Sequence, residues 1–196
     1  MITINEITIV RDGREIIYGY SEQIPAGSIT VITGPNGSGK STLLAAIAGD
    51  IAPDKGTITI DGLHPILTTP SALSKIRAMA KQNQFYSLGF SVREVIEMAG
   101  NADEILSLLA LEHLADRAVT TLSAGEAQRV SIAQAIAQNT PVLILDEPFA
   151  AQDNENRKRI IDLLQKLAED GVTVVVVAHS SEQELAWADK VIKQFL

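Results

Sequence analysis

Cysteine is absent from this chain of 196 residues, and aromatic residues make up only 4% of it. Without cysteine there can be no disulfide, no thiolate metal site and no cysteine nucleophile. Basic residues are also scarce, since 16 lysines and arginines stand against 24 aspartates and glutamates, a formal net charge of −8. A surface with this charge balance would not neutralise a phosphate backbone, so we expect no nucleic acid among the partners.

Long apolar runs are missing as well. The most apolar segments, 142–145 and 172–178, are far shorter than the roughly 20 residues that span a bilayer. The chain opens without a basic segment before an apolar run, so we expect no signal peptide. The sequence therefore predicts a soluble protein inside the cell, which would need a partner to take part in a membrane process.

The apolar residues that are present follow two patterns. Isoleucines alternate with polar residues over residues 2–9, and a second strand-like run follows at 16–24. After residue 122, predicted helices alternate with the two apolar segments named above, which indicates a parallel sheet covered on both faces. Helical patterns dominate from about residue 84 to residue 122. We predict an α/β fold with an N-terminal antiparallel β subdomain and a small inserted α-helical subdomain.

A glycine-rich segment, Gly34-Pro-Asn-Gly-Ser-Gly-Lys-Ser-Thr42, lies between a predicted strand and a predicted helix and fits the phosphate-loop pattern. Glycines let the backbone wrap closely around a polyphosphate, and the helix N-terminus favours its negative charge. Lys40 would supply a cation to the β- and γ-phosphates, the Ser41 hydroxyl suits Mg²⁺, and Thr42 can reach the α-phosphate. The segment predicts a nucleoside triphosphate with Mg²⁺, bound by Gly34, Asn36, Gly37, Ser38, Gly39, Lys40, Ser41 and Thr42.

Two carboxylates follow the apolar segment 142–145. Ligands gather beyond the C-terminal ends of parallel strands, which puts Asp146 and Glu147 beside the phosphate loop. Asp146 would hold Mg²⁺ directly or through water, and Glu147 would polarise the attacking water. His179 follows the segment 172–178 at the same edge, where it would bond the γ-phosphate or orient the water and Glu147.

The segment Leu122-Ser-Ala-Gly-Glu126 resembles the LSGGQ signature of ABC ATPases, and the other motifs occur in that family's order. The resemblance implies a P-loop NTPase (RecA-like) fold, with ATP and Mg²⁺ as cofactors. It also implies that Ser123, the backbone at Gly125 and Asp153 of the Asp loop contact nucleotide. Gln82 matches the Gln loop, which senses Mg²⁺ and water, and Gln84 is the less favoured register.

The same resemblance implies the partners. A second ATPase protomer would face this one head-to-tail, with two ATP molecules between them, and a separate transmembrane permease would attach the pair to the inner face of the membrane. The chain would be one domain, with 1–82 and 123–196 as the catalytic core and 83–122 as the helical subdomain. A non-transport soluble ABC ATPase, for example of iron–sulfur assembly type, and a silent interaction subunit are the alternatives.

Several positions depart from the family pattern. Arg11 stands where an aromatic residue usually stacks on adenine, so Arg11 or Tyr18 would take that role. Gln152 occupies an Asp-loop position where leucine is common. Ala124 replaces a signature glycine, and Gln134 replaces an arginine that is usual in the helix after the signature. The rings at 85, 86 and 90 either fill the helical insertion or line a groove for the permease, with Tyr86 the one expected to be exposed. Residues 77–96 weakly resemble ATPases of metal, haem and siderophore importers.

Overall fold

The computed structural model describes residues 1–82, 86–179 and 182–193. Its strands are β1 (Ile2–Arg11), β2 (Arg14–Ile24), β3 (Ile29–Thr33), β4 (Lys55–Ile60), β5 (Arg77–Ala80), β6 (Val142–Asp146), β7 (Thr173–Val177) and β8 (Lys190–Lys193). Its α-helices are α1 (Lys40–Ala48), α2 (Pro70–Leu73), α3 (Val92–Glu97), α4 (Ala102–Leu108), α5 (Ala124–Ala137) and α6 (Asn154–Glu169). Short 3-10 turns lie at Pro65–Leu67, Glu112–Leu114, Val119–Thr121 and Glu182–Leu185.

The N-terminal sheet is antiparallel, in the order β2-β1-β4. Ile2 and Ile4 are buried on β1, and so are Ile7 and Ile9, although the spacing between the two pairs breaks the period of two. The register shifts between Ile4 and Ile7, where Glu6 has a φ of 46°. This bulge returns the second pair to the buried face, so the alternation seen in the sequence is a strand with one interruption.

The second sheet is parallel, in the order β5-β6-β7-β3-β8. Alternate residues of β6 belong to different cores: Ile144 packs with α1 and the antiparallel sheet, and Leu145 packs with α5 and α6. All five residues of β7 are buried. Continuous apolar strands are the expected result when helices cover both faces of a sheet. The predicted α/β fold of P-loop NTPase type, with its antiparallel sheet and inserted helices, is confirmed.

The inserted helices α3 and α4 pack against α5 and share its hydrophobic core. Ser91 and Glu94 form the capping box that begins α3, as the sequence pattern indicates. Helix α4 ends at Leu108, and Ala110 then turns the chain with a φ of 50°. The division into a core and a subdomain at residues 82 and 123 stays a prediction.

Two strands were missed by the sequence patterns, and both lie at the edges of the parallel sheet. The residues of β5 are Arg-Ala-Met-Ala, which contain no β-branched side chain, and β8 is only four residues long. The β5 strand matters for the site, because it places Gln82 beside the end of β6. Among the described residues, none of the helices combines the length and apolar character that a bilayer crossing needs.

Candidate functional site

The phosphate loop connects the end of β3 to the first residue of α1, Lys40. Gly37 and Gly39 have φ values of 80° and 87°, in the left-handed region that glycine adopts at least cost. Gly39 also lies against β2, since a Cβ atom there would be 3.0 Å from Ile16 Cγ2 and 3.2 Å from its carbonyl oxygen. The loop therefore needs glycine at position 39 for both backbone conformation and space.

Lys40 is held inside this loop. Its side chain is 5% exposed, and its Nζ donates hydrogen bonds of 2.9 Å to the carbonyl oxygens of Gly34 and Pro35. Ser38 is fully buried, and its hydroxyl has no hydrogen-bond partner among the described residues. A cation and a buried hydroxyl around a ring of backbone N–H groups fit the phosphates of a nucleotide. Asn36 and Gly37 lie on the exposed outer side of the loop.

Asp146 ends β6 beside α1. Burial raises the pKa of its carboxyl above the usual value, and the charge of Glu147 raises it further. A hydrogen bond from Ser41 and the charges of Lys40 and His179 act in the opposite direction, so all these groups are neighbours. The Oδ1 atom of Asp146 is buried without a partner among the described residues. A carboxylate and a hydroxyl oxygen are ligands that Mg²⁺ prefers, so these two residues fit the metal.

Three candidate catalytic side chains meet at the ends of adjacent strands. Gln82 follows β5, Glu147 follows β6 and His179 follows β7, and these strands are neighbours in the sheet. The Oε1 atom of Glu147 lies 2.9 Å from His179 Nε2, and its Oε2 accepts a short hydrogen bond from Gln82 Nε2. The backbone of Glu147 is fixed too, because its φ is 50° and its N–H donates to the Val177 carbonyl. The carboxylate is therefore held from both sides.

The signature residues have different neighbours. Ser123 is the N-cap of α5, with its Oγ accepting from the Glu126 N–H and donating to Glu126 Oε2 at 2.8 Å. Gly125 lies against Ala151 of the Asp loop. Asp153 is the N-cap of α6 and accepts a hydrogen bond of 2.8 Å from the N–H of Asn156. These predicted nucleotide contacts are therefore placed outside the cluster around Lys40 and Glu147.

Residues 17–150 match the family model described as ABC transporter. The chain belongs to the ABC transporter family. Relatives include the hemin import ATP-binding protein HmuV of Nocardia farcinica, which is 39% identical over 86% of this chain and 63% of the relative. The protein of that name from Rhizobium meliloti is 33% identical over 98% of this chain and 81% of its own. A bacterial ABC transporter cassette solved as a dimer shares 28% identity with a TM-score of 0.84, covering 99% of this chain and 95% of that one.

The prediction of an ABC-type ATP-binding subunit is thus confirmed at the level of the family. The chain spans less than two thirds of the first of these relatives. The segment that contains Gln82 is joined to α5 by Gln128, a residue that the sequence motifs did not indicate. The side-chain amide of Gln128, 4% exposed, faces two carbonyl oxygens, so its nitrogen is assigned to the atom that lies 2.7 Å from the Gln82 carbonyl oxygen and 3.2 Å from that of Lys81. The available signal was a polar residue on the buried face of α5, four residues before Ile132.

The aromatic residues after the Gln loop are placed differently from the prediction. Tyr86 is half-buried against the core, and burial raises the pKa of its hydroxyl to about 12, so the expectation that it is exposed was wrong. Phe90 is 39% exposed instead. Gln84 and Phe85 lie outside the described residues.

The two residues considered for adenine recognition both lie at the surface. Tyr18 is 75% exposed, and Arg11 is exposed with its guanidinium donating to the carbonyl of Val10. Tyr18 is two residues from Ile16 on β2, and Ile16 contacts the phosphate loop at Gly39. Both roles for adenine therefore stay predictions.

Proposed function

We propose that this chain binds Mg-ATP and hydrolyses it as the ATPase subunit of an ABC transporter whose membrane-spanning part is a separate chain. The observation that carries the proposal is the Gln82–Glu147–His179 cluster, formed beside Lys40 and Asp146. A silent interaction subunit has no use for a carboxylate held at this position by two side chains. The sequence predicts Asp146, Glu147 and His179 at one edge of the sheet, Gln82 is implied by the family resemblance, and the contacts among these side chains support catalysis there.

Binding begins at the phosphate loop. Lys40 exchanges its two carbonyl partners for oxygens of the β- and γ-phosphates, and Ser38 gains a partner for its buried hydroxyl. Backbone N–H groups at the start of α1 add the favourable end of the helix dipole. When bound to Ser41 and Asp146, Mg²⁺ would neutralise charge on the phosphates. From the end of β5, Gln82 would contact the bound Mg²⁺ or its water when the site is occupied.

Hydrolysis requires a base close to the attacking water. Glu147 accepts the proton of that water at Oε2, once Gln82 has turned its amide away from this oxygen. His179 Nε2 stays 2.9 Å from Oε1, so the carboxylate keeps one neighbour that limits its rotation while the other leaves. General-base assistance of this kind is worth about 10²–10⁴ in rate.

Each site is completed by a second protomer. Ser123 and the N–H groups of Ala124 and Gly125 begin α5, and the first turn of a helix has donors without intrahelical partners. In a head-to-tail pair they would bind the γ-phosphate held by the partner's loop, with Asp153 nearby. The similar cassette solved as a dimer supports this arrangement. ATP binding closes the pair and hydrolysis releases it, which drives the permease between two states.

The transported substrate is proposed from the relatives. Several proteins named as hemin import ATP-binding proteins are 33–39% identical to this chain. We therefore propose import of haem or a related iron chelate, by a complex at the inner face of the membrane. Co-purification with an integral membrane protein, and ATP turnover of that complex stimulated by haem, would support the proposal. Failure to recover any integral membrane protein with the chain, and turnover that haem does not change, would favour a non-transport role.

The first experiment measures the solution mass of Glu147→Gln by light scattering, with and without Mg-ATP. We expect a shift from monomer to dimer with Mg-ATP, because the variant keeps the nucleotide and cannot complete hydrolysis. The matched control is the double variant Lys40→Ala, Glu147→Gln, which should stay monomeric because its loop has lost the cation. Binding of ATP without any dimer, at protein concentrations up to the solubility limit, would contradict the head-to-tail arrangement.

A further inference from the structure

The segment from Glu147 to Asp153 is a chain of tight turns. The N–H of Ala150 donates to the Glu147 carbonyl at 3.1 Å, and the N–H of Gln152 donates to the Phe149 carbonyl at 3.3 Å. Ala151 has a φ of 56°, in the left-handed region that alanine rarely adopts. Asp153 then begins α6 as its N-cap. The backbone between Glu147 and α6 is therefore restricted by its hydrogen-bonded turns and by the N-cap.

The middle of this segment touches the first turn of α5. A Cβ atom on Gly125 would lie only 2.5 Å from the Ala151 carbonyl oxygen, so no larger residue fits there without a shift. Gln152 closes the contact, because its Nε2 donates to the Gly125 carbonyl oxygen at 2.9 Å. The same amide lies 3.4 Å from the Ala150 carbonyl oxygen. Leucine, the common residue at this position, would have no donor to offer.

We propose that Gln152 is a positioning residue that fixes the signature turn of α5 relative to Glu147 of the same chain. The inference rests on the proposed function, in which Ser123 and Gly125 serve the partner's nucleotide while Glu147 serves this chain's own. Gln152 therefore joins groups that act in two different sites of the dimer. Through this hydrogen bond, the movement of the signature turn onto the partner's ATP also places Glu147 for hydrolysis in this chain's own site.

Two variants separate the hydrogen bond from mere packing. Gln152→Leu keeps the approximate volume and removes the donor, whereas Gln152→Glu keeps the shape and turns an acceptor toward the Gly125 carbonyl oxygen. If the hydrogen bond is what matters, dimerisation and turnover should fall in the order Gln, Leu, Glu. If only shape matters, Glu should resemble Gln and Leu should be worst. The matched control is Gln23→Leu, at an exposed position on β2.

The measurements are ATP affinity of the monomer, with a fluorescent ATP analogue, and Mg-ATP-dependent dimerisation by light scattering in the Glu147→Gln background. We expect unchanged monomer affinity in both Gln152 variants and dimerisation roughly two- to tenfold weaker for Leu, the range of one neutral hydrogen bond. Glu should be weaker still. The Hill coefficient for ATP turnover of the Gln152 variants, measured in chains that keep Glu147, should fall toward 1.

Dimerisation of Gln152→Leu equal to that of the unaltered chain would overturn the inference, and so would a Glu variant that behaves like Gln. If the unaltered chain neither binds ATP nor dimerises, the proposed function itself has failed, which is a distinguishable result. Should Gln152→Glu not fold, Gln152→Asn replaces it. Its shorter amide keeps the donor but loses reach, so weaker dimerisation supports the inference and unaltered dimerisation overturns it.

Discussion

The Oε1 atom of Glu147 lies 2.9 Å from Nε2 of His179, and the two residues follow neighbouring parallel strands, β6 and β7. Strand register fixes the spacing of their backbones, because Asp146 pairs with Val177. Gln82 holds the other oxygen of the same carboxylate from the end of β5. The orientation of Glu147 therefore depends on two side chains that come from different parts of the sequence, and each can be removed separately.

Removal of His179 should affect turnover and leave ATP binding intact. In His179→Ala the Glu147 carboxylate loses the partner that stays in place when Gln82 turns away. We expect kcat to fall about 10²- to 10³-fold, within the range for impaired general-base catalysis, while the KM for ATP changes little. Steady-state ATPase kinetics of the dimer measures both.

The matched control for this variant is His113→Ala. His113 is exposed in a 3-10 turn of the helical insertion, so its loss should leave kcat unchanged. Turnover of His179→Ala within twofold of the unaltered protein would mean that Gln82 alone is sufficient to orient Glu147. A parallel loss of ATP affinity would instead assign His179 to phosphate binding.

We expect Asp146 to lower the stability of the chain when no cation is bound, because burial and the Glu147 charge raise the pKa of its carboxyl. A raised carboxyl pKa means that the folded chain disfavours the ionised form, so the cost grows as the pH rises above the carboxyl's ordinary pKa and is complete above the folded-state pKa. Asp146→Asn should therefore raise the Tm of the nucleotide-free protein at neutral pH. The gain should be roughly 2–4 °C for each kcal/mol recovered.

The sign of this effect is tested by pH. As the pH falls through the raised pKa, Asp146 becomes protonated in the folded chain, and the Tm difference between Asp146→Asn and the unaltered protein should shrink. A difference that grows on acidification would contradict the raised pKa. The same variant should lose Mg²⁺-dependent hydrolysis, and Asp170→Asn, at an exposed surface carboxylate, provides the control for charge removal.

Much of the site could be predicted because its residues follow apolar strands or glycines. Lys40, Asp146 and His179 could be placed on one sheet edge before any geometry was known, since carboxyl ends of parallel strands converge. Gln82 needed the family resemblance, because β5 contains no β-branched residue. The contacts of Gln128 and Gln152 were beyond reach, since each depends on how far a helix lies from a loop that is distant in sequence.

Phe149 supports the chain just after Glu147. Its ring meets the single tryptophan, Trp187, edge-on with a centroid distance of 5.6 Å, and the guanidinium of Arg157 lies 5.3 Å from the Phe149 centroid. An edge-on aromatic pair is worth about 0.5–1.5 kcal/mol beyond its buried area, so Phe149→Leu should lower the Tm by roughly 1–6 °C. Calorimetry measures this loss.

The same pair makes Trp187 a reporter of the segment after Glu147. Mg-ATP should change the intrinsic fluorescence of the Glu147→Gln variant when the dimer closes, and Phe149→Leu in that background should remove most of the change. Phe90→Leu, on the exposed side of the helical insertion, is the aromatic control. A fluorescence change that survives Phe149→Leu in full would mean that Trp187 responds to something other than Phe149.

The composite site can be tested with two inactive variants. Ser123→Arg blocks the signature turn but keeps its own phosphate loop, so the monomer should bind ATP normally and hydrolyse it poorly. Lys40→Ala loses the cation that holds the phosphates but keeps an intact signature. A dimer formed from two copies of the same variant should be inactive, because each of its ATP sites then contains one defective half.

A mixture of the two should regain part of the turnover of the unaltered chain. In the mixed dimer, one site combines the phosphate loop of Ser123→Arg with the signature of Lys40→Ala, and both halves are sound. The control mixes Ser123→Arg with the double variant Lys40→Ala, Glu147→Gln. This mixture restores the same site and should recover comparable turnover, because the Glu147 that acts there belongs to the Ser123→Arg chain, which supplies the phosphate loop. A mixture as inactive as its components would mean that Ser123 does not act across the dimer, and the signature would then serve its own chain.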